Sequence, residues 1–445
     1  MSATLNAKIW AIAWPAILSN ISIPLLGLVD ASILGHLDSA HHLAAVAIGS
    51  AVMSFLYWGF SFLRMGTTGE VARASGRKDE GLALVALGRA AVLAVGISVL
   101  LFTLQKPLIA AGLAAMTTEP ELGATAARYA SLRLLSAPAV LLTYAVVGWF
   151  IGKQDTRWPM AILIVTNIAN IALDVLLIVG LDLASSGAAV ATVIAEYLGL
   201  VVAGIGLHRK GLPRLGREQR RAIFDSRGLK RVLRSNAELF MRTLTLLFAF
   251  AFFTAAGERL GATTVAANAI MMQFLLFAAF ALDGFAYAAE GLAGEALGGG
   301  DGRRFHAVAR RCAWWSGGLA VVVSVAILLG RNTLFPLLSS LEEVQVIMRA
   351  QSMWLIILPL VAAPSYLLDG LFIGAGATRA MLVSMLASAL CVYLPAWYLS
   401  TGLGNDGLWF AFTLFNAARG MTLGWCYLRF TQSHRWLAGS RGPVA

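Results

Sequence analysis

Charged, cysteine and histidine residues are scarce in this chain of 445 residues. Only 13% of the residues are charged, and there are 3 cysteines and 6 histidines. Soluble domains carry roughly 25% charged residues, so the composition excludes an ordinary soluble protein. The cysteines at 312, 391 and 426 lie in predicted helices and lack the spacing of a metal site or a disulfide framework. We therefore expect neither feature.

Motifs for ATP hydrolysis and secretion are also missing. The glycine-rich run at 298–302 lacks the Lys-Ser/Thr that a phosphate loop needs, which excludes an internal ATPase. The first apolar stretch continues past Leu34 instead of ending at a small-residue cleavage site, so it is predicted to be the first spanning helix. The 34 Lys+Arg exceed the 23 Asp+Glu but lie in short segments between apolar runs. No nucleic-acid partner is expected, because such a partner needs a shared basic face.

Hydrophobic residues are abundant, at 59% of the chain. They form recurring runs of about 20 residues, the length that crosses the hydrocarbon core as a helix. We predict an all-α integral membrane fold with twelve transmembrane helices. The expected spans are 9–35, 43–64, 83–105, 123–151, 158–180, 187–207, 234–257, 264–290, 307–329, 345–373, 379–400 and 405–429.

The second half of the chain repeats features of the first half. The segment 148–157, Gly-Trp-Phe-Ile-Gly-Lys-Gln-Asp-Thr-Arg, returns 222 residues later as Gly-Leu-Phe-Ile-Gly-Ala-Gly-Ala-Thr-Arg at 370–379. The same separation aligns further residues in a different region, namely Gly69, Gly76 and Asp79 with Gly291, Gly298 and Asp301. Because each copy has six spans, an even number, both copies cross the membrane in the same direction.

This repeat predicts the domain organisation. We expect a six-helix N-lobe at 1–207, a basic cytoplasmic connector at 208–233 and a six-helix C-lobe at 234–445, with a central cleft between the parallel lobes. Basic residues cluster in the connector and in the loops after helices two, four and eight, whereas the opposite loops carry few. The positive-inside rule therefore places both termini in the cytoplasm of a multi-pass plasma (inner) membrane protein.

Ionisable residues within spans are costly and are functional candidates by default. On helix five, Asn170 and Asp174 lie on one stripe, and Thr192 and Glu196 lie one turn apart on helix six. Converging amide, hydroxyl and carboxylate oxygens suit Na⁺ or a proton-binding carboxylate. The alternative is a polar network that only holds helices together.

Helix one carries Asp30 toward its outer end, after Pro24 and Gly27, which weaken the helix and allow a bend. If the charge of Asp30 decides whether its side chain bonds into the first bundle, protonation would switch the bend. The alternative is an interfacial aspartate that faces water.

The second half contributes Asp283 on helix eight and Asp369 on helix ten, which have no sequence-local partner. Both are candidates for a substrate cleft, with structural pairing as the alternative. Glu238 and Arg242, four residues apart on helix seven, are expected to pair with each other. Arg133 on helix four is a further candidate partner for an acidic group.

These features together resemble the MATE (multidrug and toxic compound extrusion) transporters, and among them the DinF-like branch. The resemblance covers essentially the whole chain. The residues that carry it are Trp14-Pro15, Val29-Asp30, Gln154 to Arg157, Asn170 to Asp174, Ala281 to Phe285, Ala289 to Gly291, Leu368 to Gly370 and Ile373 to Ala375.

The resemblance implies a two-lobed efflux antiporter that works by alternating access. It would export amphiphilic, often cationic, compounds in exchange for H⁺ or Na⁺, as a monomer in membrane lipid, without enzyme activity or a cofactor besides the ion. It carries over Asp30, Asn170, Asp174 and Thr192 as the cation site, the one place where Na⁺ is expected. Pro15 matches the family's hinge proline and thus competes with Pro24 and Gly27 as the hinge.

Two other functions are weighed against this one. A lipid-linked-precursor flippase of the same superfamily would need a strongly cationic cavity, which Arg133 alone does not supply. A membrane-embedded prenyltransferase would need paired aspartate-rich motifs for Mg²⁺, whereas Asp155 and Asp301 stand singly in their loops.

The first testable prediction concerns Asp30. The Asp30→Asn protein should insert normally but lose export of dye against a gradient, because its side chain can no longer change charge. Dye efflux from vesicles of purified protein measures this. Export at the wild-type rate would contradict a coupling role.

Overall fold

The regular structure of the protein is helical. The computed structural model describes residues 2–35, 40–212 and 215–438, apart from the side chains of 2–3, 23–32, 34–35, 40 and 437–438. Within this part the α-helices are Ser2–Gly35 (α1), Ala40–Gly59 (α2), Phe62–Gly76 (α3), Glu80–Thr103 (α4), Gln105–Ala114 (α5), Pro120–Leu134 (α6), Ala137–Gly152 (α7), Arg157–Asp174 (α8), Ala184–Arg209 (α9), Arg217–Ile223 (α10), Ser226–Glu258 (α11), Ala262–Gly298 (α12), Gly302–Leu338 (α13), Glu342–Ala350 (α14), Ser352–Ala375 (α15), Thr378–Ala387 (α16), Leu394–Leu399 (α17), Asn405–Gln432 (α18) and Arg435–Ala438 (α19). Two π-helical segments, Val175–Gly180 and Ser388–Tyr393, extend α8 and α16, and a 3₁₀ turn spans Thr401–Leu403.

The long helices account for the spans expected from the apolar runs. Nine candidate spans are long and apolar enough to cross a membrane within the described residues, and ten if the bent pair α6 and α7 is counted as one. Helices α1 and α18, of 34 and 28 residues, are not among these candidates but are also long enough to cross a membrane, one in each half.

Three of the expected spans are segmented. The span 123–151 consists of α6 and α7, which meet at an angle of 50°. Pro138 lies in the first turn of α7, where its missing N–H is tolerated, and this favours a new helix start there. The spans 43–64 and 345–373 are likewise divided, into α2 with α3 and α14 with α15. Single unbroken helices were therefore the wrong expectation at these three places.

The chain forms two compact units. The N-half unit comprises Ile21–Val71 and Asp79–Leu233, and the C-half unit comprises Met1–Asn20, Ala72–Lys78 and Arg234–Ala445. The first part of α1 therefore packs with second-half helices, since Asn20 Nδ2 donates to the carbonyl oxygen of Phe280, 3.4 Å away. The lobe boundaries at 207 and 234 stay a prediction from the repeat.

Repeated residues occupy equivalent positions in the two units. A Cβ atom added at Gly148 would lie 2.4 Å from the carbonyl oxygen of Arg64, and one at Gly370 would lie 2.5 Å from that of Ala286. Arg64 and Ala286 are also 222 residues apart. Only glycine permits such close backbone contact between helices, so both glycines serve helix packing.

Two repeated aspartates cap helices. The side chain of Asp79 accepts from the Leu82 N–H at 2.9 Å at the start of α4. The side chain of Asp301 accepts from the Arg304 N–H at 2.8 Å at the start of α13. The repeated Gly-x-x-Asp pattern is thus explained by helix termini.

The second prediction concerns these glycines. Gly148→Ala and Gly370→Ala should each lower stability by about 1–3 kcal/mol, because the added methyl group overlaps a carbonyl oxygen. Thermal unfolding of the purified full chain in detergent would measure the loss. Gly96→Ala and Gly318→Ala are matched controls, since a Cβ at either position meets nothing within 4 Å. Equal melting temperatures for test and control variants would contradict the packing role.

Candidate functional site

A polar cluster in the N-half unit brings two of the predicted site residues, Asn170 and Thr192, into contact, and a third, Asp174, lies one turn from Asn170 on the same helix. Asn170 on α8 donates from Nδ2 to Thr192 Oγ1 on α9, at 3.3 Å. Thr192 donates its hydroxyl proton to the Ala188 carbonyl oxygen at 2.8 Å. Asn170 is fully buried and Asp174, one turn further along α8, is 1% exposed. The expected convergence of helices five and six is therefore present.

The local structure changes directly after Asp174. The α-helix ends at this residue and a π-helical segment, Val175–Gly180, follows. Such segments are rare in proteins overall, but those that occur are often found at functional sites. Their wider turn interrupts the regular hydrogen bonding of the α-helix. Ile178 in this segment belongs to a buried apolar cluster with Ala188 and Ala189. The α-helix thus ends at Asp174, and the segment that follows it packs into an apolar cluster.

Asn170 supplies an acceptor suited to a cation. Its Oδ1 is buried and accepts no hydrogen bond from the described residues. A buried amide oxygen without a donor is costly, and a Na⁺ ion or a protonated group would satisfy it. Amide, hydroxyl and carboxylate oxygens are ligands that hard cations prefer. The cluster is therefore chemically able to hold Na⁺ or a proton.

Some of the predicted site residues have side chains that lie outside the described part of the structure. Asp30 lies in α1, but its side chain, like those of Pro24 and Gly27, falls outside the described residues. Helix α1 runs through all three positions and through Pro15, which is buried. Within the described residues, no group of three or more His, Cys, Asp or Glu side chains could hold a metal ion.

Arg133 and Glu196 form an ion pair at the bend between α6 and α7. Arg133 Nη1 lies 2.8 Å from Glu196 Oε2, and their side chains are 11% and 18% exposed. The hydroxyl group of Tyr57 donates to the Arg133 carbonyl oxygen at 3.1 Å. Arg133 is therefore a partner for an acidic group, and the charge of Glu196 is balanced within the protein.

A second buried cluster lies in the C-half unit. Asp369 Oδ2 accepts hydrogen bonds from Arg242 and, at 2.8 Å, from Arg419 Nη2. Arg419 also donates to Asn416 Oδ1 at 3.2 Å and is 2% exposed. Two guanidinium groups, one from α11 and one from α18, thus share the single carboxylate of Asp369 on α15.

The expected pairing of Glu238 with Arg242 is wrong. Arg242 bonds to Asp369, whereas Glu238 accepts from Arg234 and from the Thr378 hydroxyl. The i,i+4 spacing on one helix permits a contact between Glu238 and Arg242. Arg242 instead bonds to the buried Asp369 on α15.

Asp283 and Asp369 belong to one neighbourhood. Both lie close enough to the Tyr366 hydroxyl group to interact with it electrostatically, as do Arg242 and Arg419. Sequence reasoning did not select Arg419. Arg419 lies in the middle of the last expected span, 405–429, which is α18 in the structure. This position alone marks it as a candidate site residue, because an arginine within a span is as costly as an aspartate.

The chain is similar in sequence to known proteins over nearly its whole length. The MatE family model matches residues 15–176 and 239–399, one segment in each half. The DNA damage-inducible protein F of Escherichia coli (strain K12) is 40% identical over 436 residues, which are 98% of this chain and 95% of that protein. The paired matches agree with the internal repeat.

Solved structures share the fold. The Vibrio cholerae MATE transporter VcmN in its bent form has a TM-score of 0.84 and 21% identity, over 99% of this chain and 98% of that one. A MATE structure in the straight conformation has a TM-score of 0.87 and 18% identity, over 97% of both chains. The predicted all-helical membrane fold of twelve helices in two six-helix repeats is confirmed.

The third prediction concerns the Arg133–Glu196 pair. Glu196→Gln should lower stability by about 2 kcal/mol, because it leaves a largely buried guanidinium without its counterion. Adding Arg133→Gln should restore part of the loss, and a double-mutant cycle of melting temperatures measures the coupling.

The exposed pair Lys153–Glu80 is the control, since Glu80 is 60% exposed. Its removal should cost less than about 1 kcal/mol. Additive losses at positions 133 and 196 would show that the two charges do not compensate each other.

Proposed function

Because the chain belongs to the MatE family of membrane transporters, we propose that it is a secondary active efflux antiporter. It exports small amphiphilic, often cationic, compounds in exchange for H⁺ or Na⁺ by alternating access. The observation that supports the ion coupling is the cluster of the buried Asn170 and Asp174 with the partly buried Thr192.

A carboxylate buried as deeply as that of Asp174 needs a compensating positive charge or a proton. Binding of H⁺ or Na⁺ beside Asn170 and Thr192 adds positive charge near the carboxylate and can satisfy the buried Asn170 amide oxygen, and release reverses both effects. The ion-free cluster therefore favours contact with water, whereas the ion-bound cluster favours close packing of the surrounding helices. A transporter couples to an ion gradient through such a difference, since an ion shifts a conformational equilibrium only by its differential affinity for the two states.

Asp30 completes this site in our proposal. Asp30 lies in the part of α1 that belongs to the N-half unit. Asn170, Asp174 and Thr192 belong to the same unit. The unit boundary after Asn20 falls between Pro15 and Pro24. A bend of α1 in this interval, at Pro15 or at Pro24 and Gly27, would move Asp30 without moving the first turns of the helix.

The second-half acids take different roles in this proposal. Asp369 is bonded to two arginines, so its carboxylate offers no uncompensated negative charge to a cationic substrate. We therefore assign Asp369 to holding α11, α15 and α18 together. Asp283 stays the second-half candidate for attracting a cationic substrate.

Topology and assembly complete the proposal. Both termini and the connector at 208–233 face the cytoplasm, because the basic residues outside the spans concentrate on that side. The membrane is the plasma (inner) membrane and the transporter acts as a monomer with the coupling ion as its one cofactor.

The fourth prediction tests whether the cluster is one site. Asp174→Asn and Thr192→Ala should each slow dye export about tenfold, and the double variant should be little slower, because residues that share a ligand have non-additive effects. Vesicles under a proton gradient alone and a sodium gradient alone would show which ion drives export.

Thr166→Ala is the matched control, since the Thr166 hydroxyl group bonds to the Ile162 carbonyl oxygen of its own helix. It should export at close to the wild-type rate. Losses at positions 174 and 192 that multiply would contradict a common site, and wild-type export by both single variants would contradict ion coupling there.

A further inference from the structure

Two arginines near the start of α13 line an open groove in the C-half unit. The groove has a volume of about 490 Å³ and is lined by Arg310, Arg311, Ala313 and Trp314. The Trp314 side chain is 75% exposed. Neither guanidinium group has a hydrogen-bond or ion-pair partner among the described residues. Two adjacent cations beside an exposed aromatic ring thus lack an acceptor.

The internal repeat shows which groups surround the equivalent arginine in the N-half unit. A separation of 222 residues places Gly88 and Arg89 of α4 at the positions of Arg310 and Arg311. Arg89 Nη2 donates to the Ala222 carbonyl oxygen of α10, at 2.7 Å. Ile223 covers Gly88, because a Cβ there would lie 2.5 Å from Ile223 Cδ1. In the N-half unit the connector therefore provides both an oxygen acceptor and an apolar cover.

The second copy has the arginines but no such cover within the described residues. It also carries an additional cation, since Arg310 replaces the equivalent of Gly88. An occupant of the groove must therefore supply oxygen acceptors, negative charge and an apolar portion.

The position of the groove along α13 indicates the source of this occupant. Helix α13 is a candidate membrane span, and the two arginines lie just before its apolar stretch. Arginine and tryptophan at a span end are typical of the membrane interface, where headgroup phosphates lie. Beyond Trp314, the exposed face of α13 continues through Val321 and Val325. This face is apolar and suits an acyl chain.

We propose that the groove is a binding site for an anionic phospholipid. The phosphodiester oxygens accept hydrogen bonds from Arg310 and Arg311, in the role that the Ala222 carbonyl oxygen has for Arg89. An acyl chain covers Trp314 and the apolar face beyond it. Because the lining contains two cations and no carboxylate, phosphatidylglycerol should bind more tightly than phosphatidylcholine.

Native mass spectrometry of the full chain in detergent, titrated with either lipid, tests this site. We expect one phosphatidylglycerol to bind wild type at least about tenfold more tightly than phosphatidylcholine does. The Arg310→Gln/Arg311→Gln variant should lose this preference. The control variant Arg303→Gln/Arg379→Gln removes the same charge from exposed positions outside the groove and should keep it. Trp314→Ala should weaken both lipids.

Four results would overturn the proposal. Equal affinity of wild type for the two lipids would exclude an anionic headgroup site. Equal losses of lipid preference in the test and control variants would show that the preference comes from the net charge of the protein and not from the groove. Full displacement of phosphatidylglycerol by millimolar inorganic phosphate would assign the groove to a soluble anion. Several-fold tighter lipid binding by a chain that lacks residues 439–445 would make that segment the natural occupant.

Discussion

The rest of this structure depends on the absence of water from the hydrocarbon core, which requires each buried charge to be balanced inside the protein or by a bound ion. Glu196 is balanced by Arg133, and Asp369 by Arg242 and Arg419. Asn170, one turn before Asp174 on α8, is a neutral amide that donates to the Thr192 hydroxyl group, and its own amide oxygen has no donor within the described residues. Paired charges therefore hold helices together, whereas we assign ion exchange to the cluster that contains the unsatisfied amide oxygen of Asn170.

The two repeats preserve backbone packing but not charge. The close contacts of Gly148 and Gly370 and the caps of Asp79 and Asp301 recur in both halves. In contrast, the repeat equivalents of Asn170 and Asp174 are Val392 and Ala396. The equivalent of Asp369 is Val147, which cannot take part in an ion pair. Duplication thus supplied one scaffold twice, while each half carries its own buried polar cluster.

Sequence reasoning succeeded where the signal is local. Span positions follow from apolar run length, and the face shared by Asn170 and Asp174 follows from helical period. The partner of Asn170 on the next helix was also predictable, because consecutive helices are usually neighbours.

Long-range pairing was not predictable in the same way. Arg242 and Asp369 are 127 residues apart, and their contact depends on how α11 packs against α15. The local spacing favoured Glu238 instead. In contrast, Pro138 is a local signal for the bend between α6 and α7, and Arg419 is a local signal for a buried ion pair because it lies within an apolar run.

The cluster around Asp369 also limits which helices can move during transport. Its three charges lie on α11, α15 and α18. Sliding one of these helices away from the others would leave a buried charge unpaired, at a cost of about 3–5 kcal/mol. That cost exceeds the coupling free energy of about 1–3 kcal/mol typical between two ligand sites. Helices α11, α15 and α18 should therefore move together, and the conformational change should involve elements without such a link, among them the outer part of α1.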